Sequence, residues 1–395
     1  MKSLASYVLL FLSIALYSHF LNYSLWDLTS GSTYMWIFSI FTVGWSLLIF
    51  KEIKMYHDVN KRYLYFLIMW PIFSMIINYI GGNGSIESYR TNILMSFAFI
   101  TYFLYVKCKT TEKQIISVMT IMGLVTFFIQ VYQQINPNFL LFGIIDYEGD
   151  TYSHVRNGIM RFYVGSYFIA VFCMYYYWEK TLVKKSVISF LLFILFFASM
   201  YLYMTRQIMV ASLITIILSV FFVKEKKILK MYIFFALIVA GLIVMYFDIL
   251  FKQLIESYQE DTFTTDIRIK AGNFILDQMA ENPLGCFFGY GHGRYELAWA
   301  SKGFYLSDIG FIGEGFLYGI PWIILYFVVL YKYIIVYRNL LPPYIRLYFV
   351  GTFINSIMIF PYRSNIEAFV WLIALYIGGL YINNNKQNSW IQIKN

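Results

Sequence analysis

Residues 187–223 read VISFLLFILFFASMYLYMTRQIMVASLITIILSVFFV, and KEKKILK follows as residues 224–230. One charged residue, Arg206, interrupts the apolar run between Thr205 and Gln207. Read as a single long helix, the stretch puts Lys224–Lys230 on one side of a membrane. Read as two helices joined at Arg206, it puts them on the other, and every later connection changes side with them.

Charge decides between these readings. Apolar runs fall at about 4–21, 34–50, 63–80, 93–106, 115–132, 161–178, 187–204, 208–223, 231–248, 309–330, 347–360 and 366–382. With the N-terminus in the cytoplasm and a turn at Arg206, the inside connections are 51–62, 107–114, 179–186, 224–230 and 331–346, plus both tails. They hold 20 of the 30 Lys and Arg and 5 of the 21 Asp and Glu. The outside connections hold 10 and 16. Basic inside connections are what the positive-inside rule requires, and merging the two runs reverses the later loops.

Composition agrees. The chain of 395 residues is 60% apolar and 13% charged, against about 45–50% and about 25% in ordinary globular domains. That excludes a soluble enzyme, a disordered protein and a nucleic-acid binder. The expected fold is an all-α polytopic membrane protein with about twelve spans of about 20 apolar residues each. Residues 1–248 carry the first nine spans, 249–307 form an extracytoplasmic loop, and 308–395 carry the last three spans and a cytoplasmic tail. The first run follows Lys2 and meets no small-x-small cleavage site, so it reads as a retained helix. Of Cys108, Cys173 and Cys286 only Cys286 falls outside, so no disulfide is expected. No CxxC, HExxH or P-loop pattern occurs, and no cofactor is expected.

Two outside segments are long, 133–160 and 249–307. In the second, Phe251, Leu254, Ile255 and Tyr258 share one helical face. Ile267, Ala271, Phe274, Ile275 and Met279 share another, after Thr264-Thr265-Asp266 as an N-cap. These predict two amphipathic helices, lying on the outer membrane face or packed on top of the bundle.

The arginines collect on the side where cations are disfavoured. Seven lie outside, namely Arg90, Arg156, Arg161, Arg206, Arg268, Arg294 and Arg363, against three inside. A planar guanidinium makes two-point contacts with phosphate or carboxylate and keeps its charge when partly buried. Such a set at an outer face points to an anionic ligand, for example a lipid-linked pyrophosphate, or to pairing with the sixteen outside acids and with headgroups. Arg206 has no acid near it in sequence, and an ionisable residue between two apolar runs is a functional candidate.

The segment Tyr203-Met204-Thr205-Arg206-Gln207 resembles the T-x-[ST]-R region of the O-antigen polymerase and ligase superfamily. The loop that follows is similar too. It has Arg268 in a helix, then Asn282-Pro283-Leu284-Gly285, Gly289-Tyr290-Gly291-His292-Gly293, and Ser307-Asp308-Ile309-Gly310-Phe311-Ile312-Gly313. The resemblance covers about residues 200–320 by motif and the whole chain by topology. It implies a C-type membrane glycosyltransferase fold and transfer of a growing glycan from undecaprenyl pyrophosphate to an acceptor. In the polymerase branch the acceptor is a new lipid-linked repeat unit of O-antigen, capsule or exopolysaccharide. In the ligase branch it is lipid A core. Ser307-Asp308 stands where a His-Asn type pair is common in the ligases. The implied partners are the lipid-linked donor and acceptor, membrane lipids and a chain-length regulator, with no nucleic acid. The implied location is the bacterial cytoplasmic membrane with both termini inside and the site on the outer face.

Such a reaction needs held charge at the leaving pyrophosphate, a base for the acceptor hydroxyl, and a groove for two lipids. Arg206 and Arg268 are the first choices for the pyrophosphate, because fixed donors aimed at developing charge are a large catalytic term. Arg161 and Arg90 stand at outer helix ends and come next, and Arg294, Arg363 and Tyr290 are candidates to line the sugar groove. For the base, Asp308, Glu314 and His292 stay open, with His292 near the pKa range suited to proton transfer and Glu314 equally suited to a structural ion pair. The cluster Asp146, Glu148 and Asp150 reads as a solvated loop, and no metal is expected. The rival readings are the ligase, a polysaccharide flippase or other transporter, and a membrane O-acetyltransferase. A transporter predicts interrupted helices with charges at mid-membrane.

Overall fold

The computed structural model describes residues 2–18, 20, 58–81, 90–136, 155–156, 159–160, 167–203, 206–222, 262–291, 309–357 and 365–394. It also describes isolated positions at 40, 43, 44, 230, 233, 234, 237 and 241. The fold is all-α: the only exception among the described residues is a two-residue ladder, β1 (Val155–Arg156) antiparallel to β2 (Ile159–Met160). In chain order the helices begin with α1 (Lys2–Tyr17), α2 (Lys61–Ile80), α3 (Arg90–Cys108) and α4 (Glu112–Ile135). Next come α5 (Tyr167–Lys184), α6 (Val187–Leu202), α7 (Arg206–Leu218), α8 (Thr262–Glu281) and α9 (Pro283–Phe288). Last are α10 (Gly310–Tyr318), α11 (Ile320–Tyr331), α12 (Pro343–Asn355) and α13 (Asn365–Lys394). A 3₁₀ turn, Ser219–Phe222, extends α7, and a π turn, Lys332–Val336, extends α11.

At the decisive junction, α6 stops at Leu202 and α7 starts at Arg206, so this stretch is two helices. Most other runs meet a helix, with two differences. The run expected at 161–178 becomes a helix over Tyr167–Lys184, so Glu179, Lys180 and Lys184 are helical and only Lys185 and Ser186 separate it from α6. The run expected as one span at 309–330 is broken at Gly319 into α10 and α11. Runs 34–50 and 231–248 lie outside the described residues apart from isolated positions, as does the amphipathic helix expected at 251–258. Two of the described helices, α2 and α4, are long and apolar enough to cross a membrane.

The chain forms two compact units. The first comprises residues 1–64, 97–205 and 364–395. Here α4, α5 and α6 pack side by side, and α1 lies against α4 and α13. Thr111 opens α4 with a capping box shared with Gln114, which satisfies two orphan donors of the first turn. The interior is apolar with polar ties. Thr120 and Tyr177 hydroxyls meet at 2.9 Å, Ser199 donates to Gln130 Oε1 at 2.7 Å, and Ser13 and Tyr105 hydroxyls meet at 2.6 Å. Asp58 accepts from Asn60 N, Tyr102 OH and Asn383 Nδ2 at 2.6–2.8 Å, which ties α13 to α3.

The second unit comprises residues 65–96 and 206–363. It holds α7 against α12, and α9 against α8, α10 and α11. On α8 the expected face points inward: Ala271 and Ile275 are buried and Phe274 meets Phe316 of α10 at 6.3 Å. The expected N-cap residues Thr264–Asp266 lie inside the helix, which begins at Thr262.

Candidate functional site

The second unit contains Arg90, Arg206, Arg268, Tyr290 and Glu314, the five nominated residues that fall among the described ones. Asp308, His292, Arg161, Arg294 and Arg363 lie outside the described residues, as does the cluster Asp146, Glu148 and Asp150.

The centre of this region is the break between α10 and α11. Pro321 has no N–H, so Leu317 O loses its ordinary helical partner. Gly319 adopts φ +87° and its N–H turns back to Gly315 O at 2.7 Å. The last carbonyls of a helix need other donors, and here each finds one. Tyr290 N donates to Phe316 O at 2.8 Å, Gly291 N to Leu317 O at 3.1 Å, and Trp70 Nε1 to Tyr318 O at 2.6 Å. A β-carbon at Gly319 would run into the backbone of Phe287, and one at Gly289, where φ is +83°, into the backbone of Leu317. Both positions therefore require glycine on conformation and on space.

Short helix α9 supplies the partner strand of this join. Asn282 caps it through Gly285 N, Pro283 takes the first position, and Gly289 ends it. Helix α2 completes the seam. Ser74 Oγ donates to Phe288 O at 2.7 Å, and Asn78 Nδ2 donates to Gly289 O at 3.2 Å. Trp70, Ser74 and Asn78 stand four residues apart, so they form one polar ridge on one helix face.

Glu314 is fully buried in α10, and Trp322 Nε1 donates to its Oε1 at 2.9 Å across the break. A buried carboxylate beside an interrupted helix is the arrangement in which an acid can hold or pass a proton away from bulk water. Tyr290, expected to face sugar, is 1% exposed. Its ring stacks on Phe316 at 4.3 Å, and its hydroxyl shares one proton between Asn282 O (2.6 Å) and Gln278 O (2.9 Å). Tyr290 therefore locks α8, α9 and α10 together and has no free face for a ligand. Arg268 is half-buried on α8, on the flank between the inward face and the exposed Leu276 and Ile269.

Arg206 is the first residue of α7 and Arg90 the first of α3, so both stand where the sequence put them, at helix starts. No acid occupies the first turn of either helix. A helix N-terminus carries positive partial charge, which favours an anion there.

The sequence reading missed the seam formed by Trp70, Ser74, Asn78 and Trp322. Its signals were available: Gly319-Ile320-Pro321 is a helix breaker inside an apolar run, and polar residues recur every fourth position in 70–78. No protein-family profile, curated protein or solved structure matches this chain. The family expected from the motifs therefore rests on the residues quoted for it.

Proposed function

We propose that the chain is a multi-pass enzyme of the bacterial cytoplasmic membrane, with twelve spans and both termini inside, that polymerises lipid-linked oligosaccharide repeats at its outer face. The membrane reading draws support from apolar stripes on the outside of the helices. Tyr65, Met69, Phe73, Ile76 and Ile80 are exposed along α2, and Ile121, Val125, Phe128, Tyr132 and Ile135 along α4. Ile320, Ile324, Val328 and Tyr331 are exposed along α11. Each set repeats every three or four residues, while Ser13, Ser74, Asn78, Thr126, Gln130 and Gln133 are buried. Water disfavours apolar patches of this extent, whereas lipid tails match them.

The observation that carries the catalytic reading is Arg206 at the head of α7, in the same compact unit as Arg268 and the glycine-built seam that buries Glu314. In the reaction the acceptor hydroxyl attacks the anomeric carbon of the donor glycan. The new glycosidic bond forms, and the carbon–oxygen bond to pyrophosphate breaks. Undecaprenyl pyrophosphate leaves with the electron pair, where the arginines hold its charge, and the hydroxyl proton passes to the base.

The test is polymer formation by purified protein on lipid-linked repeat units. Arg206→Lys keeps the charge and loses the planar fork, so it should retain little activity, and Arg206→Ala less. Removing one preorganised donor costs about 10²–10³ in rate. Full polymer from Arg206→Ala at matched protein level removes Arg206 from the site and most of the case with it. One observation favours a transporter instead: the broken helix pair α10–α11 with a buried acid beside the break. A transporter would move the lipid-linked unit in vesicles and leave its length unchanged.

A further inference from the structure

Arg346 lies near the start of α12 and is 8% exposed. Its guanidinium sits over the face of Phe222, 4.4 Å from the ring centroid. That contact uses none of its N–H donors, and Nε has no hydrogen-bond partner. Burial, and then the charge on Arg338, pull its pKa below the usual value, and among the described residues no carboxylate acts on it. No side chain caps α12, and its first turn has no acid. A guanidinium buried with its Nε–H unmatched is unfavourable, and a second cation beside it makes it more so.

We propose that Arg346 and Arg338 together hold a phosphate group, carried by a lipid headgroup or free in solution. The guanidinium fork matches two phosphate oxygens. Phe222 closes the 3₁₀ turn that extends α7, so this site lies about 25 Å along the helix from Arg206. In the proposed topology it faces the cytoplasmic leaflet, and it stands independently of the glycan chemistry at the other end.

The test is the melting temperature of full-length protein, delipidated in dodecyl maltoside, alone, with phosphatidylglycerol, or with sodium phosphate. Phosphatidylglycerol should raise the wild-type value by about 2 °C or more. Arg346→Met keeps an apolar stem against Phe222 and removes the charge. Without any anion it should melt at or above wild type, because an unpaired buried charge is gone. With phosphatidylglycerol it should melt below wild type. Arg338→Ala, at an exposed position, should reduce the lipid shift and leave the lipid-free value at or slightly above wild type, because one repulsion on Arg346 is gone. A shift with lipid alone assigns a headgroup, and an equal shift with millimolar phosphate assigns a soluble phosphate. Equal shifts in wild type and Arg346→Met overturn the proposal. So does a variant less stable than wild type by one constant margin in all three conditions.

Discussion

At the residue scale, Glu314 offers the sharpest separation of structural from chemical roles. Glu314→Gln keeps an oxygen for Trp322 Nε1 and almost the same volume. The protein level in membranes should therefore be unchanged. If the carboxylate takes the acceptor proton, polymer output should fall about 10²-fold or more. Unchanged output at equal protein level would leave Glu314 a tie between α10 and α11 and move the base to the residues beyond Gly291. Sequence alone nominated Glu314 and placed Arg206 and Arg90 at helix ends, because charge inside or beside an apolar run is conspicuous. It misjudged Tyr290, since a tyrosine in a glycine-rich turn looks available. Only the fold shows that its hydroxyl reaches back to Gln278 and Asn282.

At the element scale, the two glycines Gly319 and Gly272 should respond in opposite directions to alanine. Gly319→Ala forces a side chain into the Phe287 backbone at φ +87° and should cost about 3 kcal/mol or more. Gly272 lies within α8 with open space where a β-carbon would go. Gly272→Ala should stabilise by about 0.5–1 kcal/mol. Melting curves in detergent check both, and a neutral Gly319→Ala would mean that the α10–α11 break is not fixed by this turn. The sequence predicted most helices because apolar runs set their extent. It missed the break because hydropathy stays high through Gly319-Ile320-Pro321 and only backbone chemistry marks the stop.

At the whole-molecule scale, the topology is open to direct labelling. Native Cys286 is a poor handle: it is half-buried, with Sγ 3.8 Å from both Met279 O and Tyr290 OH. Leu284 is 71% exposed and better suited. In a cysteine-free background, Leu284→Cys should react with an impermeant thiol reagent on intact cells. A cysteine at exposed Lys113 should react only in inverted vesicles. The reverse pattern would turn the molecule over and place Arg206 in the cytoplasm. The charge bias that orients the expected spans was legible in the sequence, because counting lysines in connections needs no tertiary contact. The division into two units was not, because each unit joins segments far apart in the chain.

The seam at Gly319 also bears on the order in which the protein is made. Helix α10, with nine residues, is too short alone to cross an apolar layer of about 30 Å, and α11 with its π turn, Ile320–Val336, reaches only about 26 Å. The carbonyls of Phe288, Gly289 and Tyr318 find side-chain donors on α2, a segment synthesised some two hundred residues earlier. In the proposed bilayer no water replaces those donors. The early helix therefore acts as a template, waiting in the membrane for the late one. A Ser74→Ala, Asn78→Leu chain should insert its first spans normally and fail to dock α10 and α11. With an N-terminal tag it should accumulate as fragments that have lost α10 and α11, and full-length protein at the wild-type level would overturn this order.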